Sequence, residues 1–156
     1  KNFSWIIPDT LAGSALPGGA MYLNDEYALS DLRELYELGV RRLISLHPMD
    51  RHYGELCENS GLIWTDFPID DFSVPREEDA FKGMIESAVS HMRSKVPVCV
   101  HCYAGVGRTG MVLACIVGLY SSLAPAAAIR KVRETRPAID TPEQEKFVYD
   151  FLTYRK

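Results

Sequence analysis

The amino-acid sequence predicts an α/β fold. Segments of strand and helix character alternate along the chain, and the run Val96-Pro97-Val98-Cys99-Val100 has the unbroken hydrophobicity of a strand covered on both faces. A loop of small residues, 101–110, joins that run to an apolar stretch of helical length, 111–119. Open α/β sheets bind ligands beyond the carboxyl ends of their strands, which makes this loop the expected seat of any chemistry.

In order, residues 5–7 and 11–13 read as short strands, the second leading into the Gly/Pro-rich loop 16–20. Asp31 with Glu34 has the form of a capping box, Leu32, Leu35 and Leu38 make an apolar stripe, and Gly39 ends the helix. A strand spans 40–46. A short helix over 53–59 stops at Gly61, and 62–67 is the next strand. Residues 75–95 place Phe81, Met84, Ile85, Val89 and Met92 at helical spacing, long enough to cross one face of a sheet. After the strand 96–100 come helices over 109–122, 125–135 and 141–154. No linker, repeat or low-complexity segment interrupts them.

The chain's 156 residues fit a single catalytic domain, 1–156, large enough for a core without disulfides or a structural metal. It opens on lysine rather than methionine, consistent with excision from a longer protein, processing or trimming. Hydrophobic residues at 47% and charged residues at 24% argue against disorder, and a net charge of -4 argues against nucleic acid as partner. No apolar run reaches membrane-spanning length and no secretory pattern is present, so a reducing, cytoplasmic setting without membrane insertion is expected. Of the four cysteines, only Cys99 and Cys102 form a C-x-x-C pair, and no second pair completes a zinc site. Cys99 stands among valines, where a small buried hydrophobe is favoured over a redox partner.

The loop reads His101-Cys102-Tyr103-Ala104-Gly105-Val106-Gly107-Arg108-Thr109-Gly110. Between a strand and a helix start, its backbone N–H groups can converge on one point where the helix dipole favours an anion. Cys102 opens the loop and feels the same positive field, which favours a nucleophilic thiolate. Arg108 closes it with a planar fork able to take two oxygens of a tetrahedral oxyanion, which a lysine cannot do. Gly105, Gly107 and Gly110 also satisfy G-x-G-x-x-G, but a dinucleotide site wants that motif in the first βα turn with an acidic residue about twenty positions later, where Ala126 to Ala128 stand instead. A Walker loop is absent too, since no Gly-Lys-Ser/Thr occurs.

Transfer of a phosphoryl group to sulfur needs a proton donor for the leaving oxygen, and it must come from another segment. Asp66 precedes, and Asp70 and Asp71 lie within, the shaped stretch Phe67-Pro68-Ile69-Asp70-Asp71-Phe72-Ser73-Val74-Pro75. The adjacent pair Asp70 and Asp71 repel each other, a setting in which one carboxyl can hold a proton for donation.

His101-Cys102, five residues, then Arg108-Thr109-Gly110 resembles the signature of the cysteine-dependent protein tyrosine phosphatase superfamily. The segments Asn2-Phe3-Ser4-Trp5 to Leu16-Pro17, 40–46, the aspartate loop ending at Pro75, and Arg136-Pro137 with 141–147 resemble its small atypical dual-specificity phosphatases of the VHZ type. The resemblance implies a mostly parallel sheet of four to five strands flanked by helices, with no metal or organic cofactor. It implies that Cys102 attacks phosphorus, that Arg108 and the N–H groups of Tyr103, Ala104, Gly105, Val106, Gly107 and Arg108 hold the oxygens, and that Asp71 is the general acid. Asp70 stands where the family has proline. Thr109 is expected to donate to the sulfur, and His101 to order the loop from beneath. Gln144 resembles the family's water-positioning glutamine; the alternative is a solvated residue in the last helix's first turn.

The expected partner is a phosphorylated protein or peptide carrying phosphotyrosine, with phosphoserine or phosphothreonine also accepted. No long aromatic recognition loop marks a deep tyrosine-only pocket, and residues 103–107 lack the lysines of phosphoinositide-directed relatives. Arg130, Lys131, Arg133 and Arg136 read as a solvated basic face. The alternatives are a phosphoinositide or other non-protein phosphatase, a catalytically silent phosphate-binding module, and a rhodanese-type sulfurtransferase.

Overall fold

The computed structural model describes residues 2–154. Twelve short elements fold into one five-stranded sheet with helices on both faces: β1 (Ser4–Ile7), β2 (Leu11–Ser14), α1 (Asp25–Glu37), β3 (Arg42–Ser45), α2 (Arg51–Asn59), β4 (Ile63–Asp66), α3 (Glu78–Arg93), β5 (Val98–His101), α4 (Gly107–Ser121), α5 (Pro125–Arg133) and α6 (Pro142–Tyr154), with a 3-10 turn at Gly19–Met21. The strand order is β1-β2-β5-β3-β4, and only the β1–β2 pair is antiparallel. In register, Ser14 and Ser45 both face His101, and Ser45 faces Asp66. The carboxyl ends of the four parallel strands therefore align in one row, and the loops after them share one edge of the molecule.

Alternation along the strands divides the core. Val98 and Val100 of the central β5 join Ile44, Phe81, Ile85 and the apolar residues of α4 on one face. Cys99 turns to the other face, among Ala12, Leu32, Leu43, Tyr53 and Cys57 beneath α1 and α2. Phe81 is fully buried and meets Phe147 and Phe151 edge-on at 5.1 and 5.3 Å, locking α3 to α6. Truncating a ring so placed costs about 3–5 kcal/mol. Every residue of α4 from Gly107 to Gly118 is buried, as a helix apolar on all sides requires. Among the described residues no single helix is long and apolar enough to cross a membrane.

Several expected boundaries move. α1 starts at Asp25, with the Asn24 side chain accepting from the Glu26 N–H, so Asp31 lies inside the helix and is no cap. Its carboxylate instead accepts from the Gly18 N–H at 2.7 Å and ties the loop 16–20 to the helix. α2 starts two residues early because Asp50 caps it through the Tyr53 N–H. α3 begins only at Glu78, after the buried Pro75. β5 starts two residues later and ends one later, to include His101: Pro97 has no N–H to give a ladder, and its carbonyl accepts from the N–H groups of Arg41 and Arg42.

Candidate active site

β5 ends at His101 and α4 begins at Gly107, leaving residues 102–106 to make the turn. Each carbonyl of this loop from 103 to 106 is anchored outward. Tyr103 O accepts from Leu16 N at 3.0 Å and Ala104 O from Asn2 Nδ2 at 3.3 Å. Gly105 O accepts from Arg136 Nε at 3.2 Å and Nη2 at 2.8 Å, and Val106 O from Gly110 N and Ile139 N. A trans peptide holds its N–H opposite its C=O, so the N–H groups of Ala104, Gly105, Val106 and Gly107 are turned to the inner side of the loop. Gly105 has φ 81, and a Cβ there would lie 2.6 Å from the Ser14 carbonyl oxygen. Glycine alone fits that position.

Beneath the loop, burial keeps His101 neutral, and hydrogen-bond partners fix its tautomer. Trp64 Nε1 can only donate, and gives its proton to Ser45 Oγ at 2.9 Å. The Cys102 carbonyl can only accept, so His101 Nδ1 carries the proton that reaches it at 2.8 Å. Ser45 then donates to His101 Nε2 at 2.6 Å. The imidazole is a neutral strut, and burial pushes its pKa down to about 4.

Above the loop, the chain brings the other expected residues to one place. Arg108 is buried and donates through Nη1 to the Ile69 carbonyl at 2.9 Å; Nη2 lies 3.4 Å from Asp71 Oδ1 and 3.5 Å from His47 Nδ1. Its Nε is buried with no hydrogen-bond partner. Asp71, 59% exposed, also accepts from the Phe72 N–H, and Phe72 holds the left-handed φ of 57 that turns the loop. Asp70 forms an ion pair with Arg76, so each carboxylate of the adjacent pair has its own guanidinium. Gln144 is fully buried rather than solvated. Its side-chain oxygen accepts from Asp140 N at 2.9 Å and its amide donates to Ser73 O at 3.1 Å, bridging the aspartate loop to the start of α6. Thr109 is buried and its Oγ1 has no hydrogen-bond partner, so the expected bond to the Cys102 sulfur is not formed in this arrangement.

Comparison with known proteins agrees with this geometry. The family model described as "Polymorphic toxin system, DSP-PTPase phosphatase" matches residues 13–119, from β2 through most of α4. The chain belongs to the DSP-PTPase phosphatases. By sequence it is 36% identical over 89 residues to the uncharacterized protein MJ0215 of Methanocaldococcus jannaschii, a match covering 57% of this chain and 55% of that one. It is 30% identical over 100 residues to cyclin-dependent kinase inhibitor 3 of Rattus norvegicus, covering 62% of this chain and 47% of that one. The chain thus spans about half the length of the curated relatives it matches. Among solved structures, Tk-PTP in its active form superposes with a TM-score of 0.80 at 24% identity, over 99% of this chain and 98% of that one. Kinase-associated phosphatase superposes at 0.78 and 21%, over 96% and 92%, a likeness of fold.

In this chain the residues that sequence reasoning missed are those reaching the loop from afar. Arg136 is buried rather than part of a solvated basic face, and besides Gly105 it binds the Gly13 carbonyl at 2.6 Å and Ser4 Oγ at 2.9 Å. Its one local signal is Arg-Pro just after a helix, where proline prevents continuation and the chain must turn inward. Ser45 and Trp64 announced only strands, and His47 only a loop. Asp140 comes close enough to α4 that a Cβ on Gly107 would collide with its carboxylate. The C-x-x-C pair is split: Cys99 and Cys102 belong to the clusters on opposite faces of the sheet, and burial raises the Cys99 thiol to about 11.

Proposed function

We propose that this domain hydrolyses phosphotyrosine, and also phosphoserine and phosphothreonine, in proteins or peptides through a cysteinyl-phosphate intermediate. One observation carries the reading: Asp71, from a separate loop, stands 3.4 Å from the Arg108 that closes the nest opened by Cys102. Nucleophile, oxyanion clamp and proton donor are the three roles that phosphoryl transfer to sulfur needs together.

In the first step the Cys102 sulfur forms a bond to phosphorus as the phosphorus–oxygen ester bond breaks, and Asp71 gives its proton to the departing oxygen. The inward N–H groups of the loop and the unpartnered Nε edge of Arg108 hold the equatorial oxygens. In the second step water attacks phosphorus, Asp71 takes its proton, and the sulfur leaves as thiolate. Thr109 is assigned to that leaving sulfur, which gives its buried hydroxyl a partner. Gln144 is assigned to the aspartate loop through Ser73. The absence of lysine in 103–107 favours a single phosphate on a protein over a multiply phosphorylated headgroup.

Cys102→Ser tests the covalent route. It is expected to abolish hydrolysis of aryl phosphates while calorimetry still detects bound sulfate. Undiminished turnover, or turnover of thiosulfate in place of aryl phosphate, overturns the reading.

A further inference from the structure

Outside the nest, two rings stand side by side next to Arg108. His47, in the connection after β3, lies with Nδ1 3.5 Å from Arg108 Nη2. Arginine only donates, so Nδ1 is an acceptor there and the ring is neutral. Burial and then the charge of Arg108 lower the His47 pKa, with Asp71 opposing. Its ring centroid is 5.4 Å from that of Tyr103, with planes inclined at 53°, and Tyr22 meets it edge-on at 6.4 Å. Held by Arg108, Tyr22 and Tyr103, the imidazole is fixed before any ligand arrives. Tyr103 is 46% exposed, so its ring is available to a ligand from solvent.

Asp71 and His47 approach the same Nη2 of Arg108. A leaving oxygen that reaches Asp71 therefore comes beside the imidazole, on which the Tyr103 ring packs. We propose that His47 and Tyr103 form an aryl-binding wall that makes this site prefer phosphate esters of phenols over those of alcohols. The inference rests on the phosphatase reading above. An aryl group gains offset or edge-to-face contact with rings already in place, whereas a seryl ester brings no ring and leaves the wall uncovered.

The test compares kcat/KM for one peptide carrying phosphotyrosine and the same peptide carrying phosphoserine. His47→Asn removes the ring but keeps an acceptor for Arg108, and Tyr103→Ala removes the exposed ring. Each is expected to raise KM for the phosphotyrosine peptide about five-fold, with a smaller effect on the phosphoserine peptide, so that the ratio of the two falls. His47→Phe, which restores a ring, is expected to restore the ratio. Sulfate affinity measured on Cys102→Ser carrying each change reports the phosphate nest separately, and is expected to stay within about two-fold. A ratio unchanged in both His47→Asn and Tyr103→Ala overturns the wall while leaving the phosphatase reading standing. Failure of the unaltered protein to hydrolyse either peptide or p-nitrophenyl phosphate overturns that reading and this inference with it.

Discussion

Arg136 donates two hydrogen bonds to the carbonyl of Gly105, from Nε at 3.2 Å and from Nη2 at 2.8 Å, across a sequence separation of 31 residues. A third, from Nη1, reaches Gly13 on β2. The guanidinium thus fastens the turning point of the nest to the sheet and keeps the Gly105 carbonyl out of the space an anion would occupy.

Arg136→Ala leaves the buried Gly105 carbonyl without its donor and takes one from Gly13, and the loss expected in chemical denaturation is about 2–4 kcal/mol. The Gly105 carbonyl then competes with an oxyanion for the inner side of the loop, so sulfate affinity on Cys102→Ser and kcat/KM fall together. Arg136→Lys is expected to rescue little, because one ammonium cannot serve both carbonyls in the fork geometry. Activity retained in either variant would show that the loop holds its shape without this anchor.

Asp71 stands beside Arg108, whereas Asp70 is spent on Arg76 at the surface. Asp71→Ala is expected to lower kcat about 10²–10⁴-fold for poor leaving groups and only mildly for nitrophenolate, which departs without a proton. Asp70→Ala removes an exposed ion pair of little energetic weight and is expected to change both substrates alike and weakly. A leaving-group series run on both variants decides; if Asp70→Ala shows the steep dependence, the acid is the neighbouring residue.

What was legible in the sequence was local. The strand-loop-helix at 96–119 declares itself because five nearly continuous apolar residues, a run of small residues and a fully apolar helix are adjacent in the chain, and Cys102 and Arg108 lie inside that unit. Asp71 was reachable because the chemistry asks for a carboxylate from a second segment and the resemblance to the phosphatase family picks it out of the pair Asp70 and Asp71. Arg136 was not, since its partners Gly105 and Gly13 lie 31 and 123 residues away and its sequence neighbours Arg130, Lys131 and Arg133 all look like surface. The misread capping box has the same origin. Asp31 with Glu34 satisfied the local rule, yet Asn24 offers a cap seven positions earlier and a tertiary partner, Gly18, claims the Asp31 carboxylate.

Gln144 joins Asp140 N to Ser73 O, so its first effect is on the loop that carries Asp71. Gln144→Glu puts a carboxylate oxygen against the Ser73 carbonyl. It is expected to lower kcat most for poor leaving groups, reproducing in part the pattern of Asp71→Ala, at a stability cost of about 1–3 kcal/mol. Were the glutamine instead to act on the water of the second step, the loss would be independent of leaving group and a burst of product would precede slow turnover. Rapid-quench kinetics separates the two.

His101 gives the fold a pH dependence of known sign. The imidazole is neutral in the folded protein, with its pKa pushed by burial from 6.5 to about 4. The unfolded chain binds the proton near pH 6.5 and the folded chain does not, so this contribution is complete above that pH and drains away as pH falls toward 4. The slope is about 1.4 kcal/mol per pH unit, or about 3 kcal/mol over the window. His47, also lowered by burial, acts in the same direction, and the exposed His52, raised by Asp25, acts in the opposite one. Both remain in His101→Asn, so the difference between variant and parent isolates the buried ring. Urea denaturation at pH 7 and pH 4.5 is expected to show the parent losing more stability than the variant, because only the parent resists protonation at the centre of its fold. Equal losses would mean that His101 takes up its proton in place, and that the chain Trp64–Ser45–His101–Cys102 tolerates a charge it is built to exclude.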